Sequence, residues 1–99
     1  MTVRELPIPI EFTGGANIAF RSLNRRLQNK FYDLLSQYIQ DKGILLKNSG
    51  ILKNLSNPNF PNTYAIRLDK NIQAIIQPQL DSIWVLDILD LRLAKIYFG

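Results

Sequence analysis

Between residues 12 and 80 the chain sets nine cations against three carboxylates. Arg21, Arg25, Arg26, Lys30, Lys42, Lys47, Lys53, Arg67 and Lys70 stand against Asp33, Asp41 and Asp69, a local excess of six within a net charge of +4. Clustering of this kind suits contact with a polyanion, because each phosphate neutralised by Lys or Arg releases counterions and adds affinity. The tail adds Arg92, Lys95 and Tyr97 behind Asp87 and Asp90, with which its cations can pair. The chain has no His and no Cys. That excludes Ser-His-Asp and Cys-His nucleophiles, excludes disulfides, and leaves a zinc ion only carboxylates to bind. Asp87 and Asp90 lie three residues apart in a strand-like run, so they point to opposite faces and share neither a proton nor a metal ion. Gly14-Gly15 is an isolated pair, not a phosphate-binding loop. Nucleic acid or the ribosome is therefore the expected class of partner, and no metal or cofactor is expected.

Positioning these groups falls to elements that the apolar periodicity predicts. Thr63 to Asp69, Ile72 to Gln77 and Ser82 to Asp90 have strand length and β-branched or aromatic content. Lys70-Asn71 and Pro78 to Asp81 link them as turns, so they read as an antiparallel meander. In it Tyr64, Ile66 and Leu68 share one face, while Ala65, Arg67 and Asp69 share the other. Ile72, Ala74 and Ile76 likewise oppose Gln73, Ile75 and Gln77. The third strand is apolar on both faces from Ile83 to Leu86, as in a doubly covered strand, and Trp84 is assigned to the core. Ahead of the meander, Leu23, Leu27, Phe31, Leu34 and Tyr38 form one apolar stripe of a helix running from about Ala16 to Asp41. Ser22 and Asn24 compete for backbone hydrogen bonds, which allows a break into two helices there. Lys42-Gly43 closes the segment. Ile8 to Phe12, with Pro7 and Pro9 before and within it, reads as an edge strand. Residues 44–55 admit either a short strand or a turn of helix, and 54–62 a loop.

These elements make one α+β domain over residues 1–99: a small antiparallel sheet of an N-terminal edge strand and a C-terminal three-stranded meander, with a helical hairpin on one face. The other face keeps Arg67, Gln73 and Gln77 open. No segment approaches the length of a membrane span, and the N-terminus has no apolar signal core, so a cytoplasmic protein with no membrane partner is expected.

The order of edge strand, two helices and a meander written Tyr-x-Ile-Arg-Leu, x-Ala-Ile-Ile, Ile-x-Val-Leu-Asp-Ile resembles the RelE/ParE superfamily of bacterial type II toxins. Leu52-Lys-Asn-Leu55 matches its Lys-x-Leu element, and Tyr97 its tail tyrosine; the match spans residues 10–98. The resemblance implies a toxin neutralised by a cognate antitoxin. It implies either ribosome-dependent, metal-independent mRNA cleavage (an mRNA interferase, inhibiting translation) or, in the ParE manner, inhibition of DNA gyrase without catalysis. A non-toxic interaction module on the same fold is the third reading. For RNA cleavage a base must act on the 2′-hydroxyl, cations on the phosphorane and an acid on the leaving 5′-oxygen. By motif, the resemblance puts Arg67, Arg92 and Tyr97 in catalytic positions. Lys70, Gln73 and Lys95 then contact the nucleic acid. Apart from the resemblance, Arg21, Arg25, Arg26 and Lys30 form the outer face of a helix, which can also hold a nucleic-acid backbone without reading its sequence. The chain departs from the pattern at Gln73, where a Tyr-Arg pair is usual and Ile72-Gln73 stands, and at Ala65, where some members have lysine.

Overall fold

The computed structural model describes residues 6–93; Lys95 and Tyr97 lie outside them. The elements run β1 (Ile10–Phe12), α1 (Gly14–Arg21), α2 (Arg25–Asp41), α3 (Ile44–Asn48), β2 (Leu52–Asn54), β3 (Tyr64–Arg67), β4 (Ile72–Pro78) and β5 (Ile83–Asp90). The break expected near Ser22 to Asn24 is real. Asn24 caps α2, its side-chain oxygen accepting from the Leu27 N–H at 2.9 Å. The expected stop is real as well, with Lys42 at φ 57° and Gly43 at φ 83°. A Cβ on Gly43 would come within 2.7 Å of Leu52 Cδ2 and 2.8 Å of Tyr38 Cδ2, so this turn has room only for glycine.

The five strands form one sheet in the order β1-β5-β4-β3-β2. β2 to β5 are antiparallel neighbours, and the segment left open between strand and helix supplies both α3 and β2. β1 joins β5 in parallel, Ile10 opposite Ile83 and Phe12 opposite Val85, which makes the sheet mixed where antiparallel pairing was expected. Direction alternates from β2 to β5, so β1 runs parallel to β3 as well as to β5. Pro9 tolerates this edge because only its carbonyl is used, accepting from Ile83 N–H at 3.0 Å.

The helices cover a single face. Leu27, Phe31, Leu34 and Leu35 of α2 meet Ile66, Ile72, Ala74, Ile76, Ile83, Val85 and Ile88 of the sheet in one buried cluster. Phe12, Phe20, Phe31 and Tyr32 pack tilted or edge-on, with Phe12 and Phe20 centroids 5.1 Å apart. Because no second layer among the described residues covers the sheet, β5 alternates instead of being buried twice. Trp84, assigned to the core from its apolar neighbours, is 39% exposed.

A β-bulge sits in β5: Ile76 pairs Val85 and Ile75 pairs Asp87, leaving Leu86 as the extra residue. Strict alternation from Ile83 and Val85 would have carried Asp87 into the core. The bulge shifts the phase by one, so Ile88 goes inward and Asp87 outward. Thr13 holds the irregularity. Its hydroxyl donates to the Leu86 carbonyl (2.9 Å), its N–H to the Val85 carbonyl (3.1 Å), and its side-chain oxygen caps α1 at Ala16 N–H (3.2 Å).

Candidate nucleic-acid interface

On the helix-free side, register arranges the side chains in rows across the strands. Arg67 on β3 lies opposite Gln73 on β4, which lies opposite Leu89 on β5. The next row is Lys53, Ala65, Ile75 and Asp87. Arg67 and Lys53 are exposed, so a cationic side at β2 and β3 gives way across the sheet to Asp87.

A loop over residues 55–63 rises beside these rows. Its shape is set by short polar side chains that bond their own backbone. Asn54 Oδ1 accepts from Ser56 N–H at 2.8 Å, and Asn57 Oδ1 accepts from the N–H groups of Asn59 (2.9 Å) and Phe60 (3.1 Å). Ser56 Oγ accepts from Thr63 N–H at 3.0 Å. From β4, Gln77 Nε2 donates to the Pro61 carbonyl at 3.0 Å, and Asn62 donates to the Pro78 carbonyl. Between loop and sheet lies a groove of about 430 Å³ lined by Leu55, Asn57, Phe60, Thr63, Ile75, Leu86, Asp87 and Leu89.

Of the residues read from the sequence, Arg67 and Gln73 meet as direct cross-strand neighbours on this open face. Lys70 is exposed in the turn that follows β3. Arg92 is elsewhere. Its Nε and one terminal nitrogen donate to the two Asp90 carboxylate oxygens, at 3.1 and 2.8 Å. The pair lines a second cavity, of about 480 Å³, against α1 and α2, with Arg26 and Asp69 on the same wall. The hydrogen bond from Arg92 holds the Asp90 carboxyl below the usual carboxylate range and raises the guanidinium in turn. The structure therefore does not bring Arg92 to Arg67. The cause is local: Asp90 pairs with Ile72 and so faces the helices, and it takes the cation two residues on. Arg25, Arg26 and Lys30 ride on α2, in the opposite layer, and no single phosphate touches them and Arg67 together.

One cation was overlooked as a site residue. Lys53 stands directly beside Ala65 and puts an ammonium one strand away from the position where lysine is missing. The signal was its place inside the Lys-x-Leu element; its face could not be assigned before β2 was known to be a strand. Among the described residues no group of three or more His, Cys, Asp or Glu could hold a metal ion. No helix among them is long and apolar enough to cross a membrane.

No protein-family model matches the sequence, and no curated protein is similar to it. Solved structures do match in shape. The YoeB–YefM toxin–antitoxin heterotetramer of Staphylococcus aureus contains a chain with TM-score 0.67 and 15% identity, covering 83% of this chain and 94% of that one. The archaeal RelE–RelB complex of Pyrococcus horikoshii matches with TM-score 0.65 at 14% identity, over 87% and 97%. YafQ of E. coli matches with TM-score 0.62 at 14% identity, over 93% and 99%. The strand order, the helical layer on one face and the extent of these matches agree: the chain has the RelE/ParE-like toxin fold.

Proposed function

We propose that this protein is the toxin of a type II toxin–antitoxin pair and that it cleaves mRNA on the ribosome without a metal ion. The observation that carries the reading is the uncovered sheet face, where Arg67 and Lys53 stand together with no carboxylate bonded to either among the described residues. Arg67 stabilises charge on the phosphorane as the 2′-hydroxyl gives its proton to solvent, bonds to phosphorus and displaces the 5′-oxygen; Lys53 and Lys70 hold the backbone, and Gln73 donates to a phosphate oxygen. Lys95 and Tyr97 take the backbone-contact and proton-donating or stacking roles from the tail. Arg92, bonded to Asp90 on the helix side of the sheet, is left out of the proposed site. Its partner in the cell is a cognate antitoxin, as the matched YefM and RelB complexes suggest by analogy.

The test is primer extension on mRNA from translating ribosomes. Wild-type protein is expected to give discrete cuts, and Arg67→Ala to reduce them at least about 10²-fold, the scale of losing one electrostatic donor. Thermal stability should not change, because Arg67 is exposed. Full cutting by Arg67→Ala would remove that residue from the chemistry. One observation favours a second reading, gyrase inhibition by binding alone: the β4 neighbour of Arg67 is the uncharged Gln73, which gives Arg67 no second fixed cation across the strand. Wild-type protein that cuts no mRNA but accumulates gyrase–DNA cleavage complexes would establish that reading instead.

A further inference from the structure

The groove beside the cationic rows does not look like a phosphate site. Leu55, Phe60, Ile75, Leu86 and Leu89 give it an apolar lining, and its charged member is an acid, Asp87. Phe60 is 58% exposed, on a loop whose backbone is tied down at that residue. Its own N–H is tied to Asn57 Oδ1, and it forms a bridge with Asn57 across the loop. A ring carried at that exposure by a fixed backbone, beside a half-buried apolar floor, is a surface on which a base can stack. Asp87 lies on β5, two strands from Arg67 on β3 and two residues along from its row, or about 12 Å at the ordinary strand spacing and rise.

We infer that this groove is a nucleobase pocket that distinguishes cytosine from uracil, with Phe60 stacking on the base and Asp87 accepting its exocyclic amine. The inference rests on the open face being an RNA surface and names the part of the RNA that enters the groove. The charge layout decides the occupant. A nucleotide places its phosphate at Arg67 and Lys53 and its base over Ile75 and Leu89, toward Asp87. A cationic peptide drawn to Asp87 would meet those same two cations at the rim. Asp87 Oδ1 accepts the Ile88 N–H at 2.8 Å, and the lone pairs that the carboxylate has left are all acceptors. An acceptor-only group matches the amine at C4 of cytosine. Uracil presents a carbonyl oxygen there, which sets acceptor against acceptor.

The test is fluorescence anisotropy with labelled oligocytidylate and oligouridylate, both 2′-O-methylated so that neither can be cut. Wild-type protein should bind the cytosine oligomer on the order of tenfold more tightly. Phe60→Ala should weaken both by about tenfold, because stacking tolerates either base. Asp87→Asn should abolish the preference, since a carboxamide can pair with either edge, while removal of a negative charge raises the affinity for uracil. Equal wild-type affinities would overturn the inference. So would an equal rise for both oligomers in Asp87→Asn, the signature of charge alone, or no loss in Phe60→Ala. An arginine-bearing peptide that binds with the same dependence on Phe60 and Asp87, where the oligomers do not, would assign the groove to a protein partner and refute it. Cleavage on ribosomes without base discrimination sinks this inference and spares the nuclease reading. Discrimination without cleavage does the reverse.

Discussion

In the β3–β4 turn the Asp69 carboxylate accepts from two successive backbone N–H groups, Asn71 at 2.7 Å and Ile72 at 2.8 Å. The Asn71 bond is the main cause of its pKa falling below the usual carboxylate range, with Ile72 and the charges of Arg26 and Arg92 adding to it against a smaller desolvation effect. A group whose folded pKa is depressed stabilises the fold above its unfolded pKa, and that contribution is lost as pH falls through the folded value. The melting temperature is thus expected to fall below about pH 4, where carboxylates begin to protonate. Asp69→Asn, which keeps an acceptor oxygen but cannot titrate, should have a shallower acid slope in melting curves recorded between pH 2 and pH 7. An unchanged slope would mean that Asp69 does not anchor the turn. At this scale the meander's alternation made Arg67 and Gln73 legible as neighbours on an open face. The Arg92–Asp90 pair was legible as one of two pairings, but its side of the sheet was not, because that depends on register with Ile72.

Thr13 joins three elements through one side chain: it caps α1, follows β1, and bonds the Leu86 carbonyl that the bulge of β5 leaves outside the ladder. The bulge in turn decides that Asp87 faces the groove. Thr13→Ala should cost about 1–2 kcal/mol, the loss of a cap together with a bond to a partly buried carbonyl. Thr13→Ser keeps the hydroxyl and should stay near wild type in the urea midpoint. Equal midpoints for Ala and wild type would show that the bulge holds without Thr13. The strands, the α1–α2 break and the Lys42-Gly43 stop were readable because each has a local cause: alternation, a capping Asn, a left-handed turn. The bulge and the exposure of Trp84 were not read. Both had a trace in the sequence, since an unbulged β5 would bury Asp87 with Ile83 and Val85, and one helical layer, as the described residues form, covers one face of a sheet.

At the scale of the molecule, two cationic surfaces lie on opposite sides of the sheet. One is the helix α2 with Arg25, Arg26 and Lys30; the other is the open face with Lys53 and Arg67. Net charge of +4 draws RNA to either, and each has a cavity, but the one beside α2 holds Asp69 and Asp90 against Arg26 and Arg92, whereas the one on the open face displays an exposed aromatic ring, Phe60. Parallel pairing of β1 was hidden at this scale because it depends on how α1, α2 and α3 return the chain to the sheet and on the short strand β2, neither of which a local pattern states. The most direct measurement is a map of backbone amide chemical shifts on titration with a short, uncuttable single-stranded RNA. Perturbations are expected in β3, β4, β5 and residues 55–63, with Arg67 and Phe60 among the largest. Perturbations confined to α2 around Arg25, Arg26 and Lys30, with β3 and Phe60 unmoved, would contradict the assignment of the open sheet face as the site.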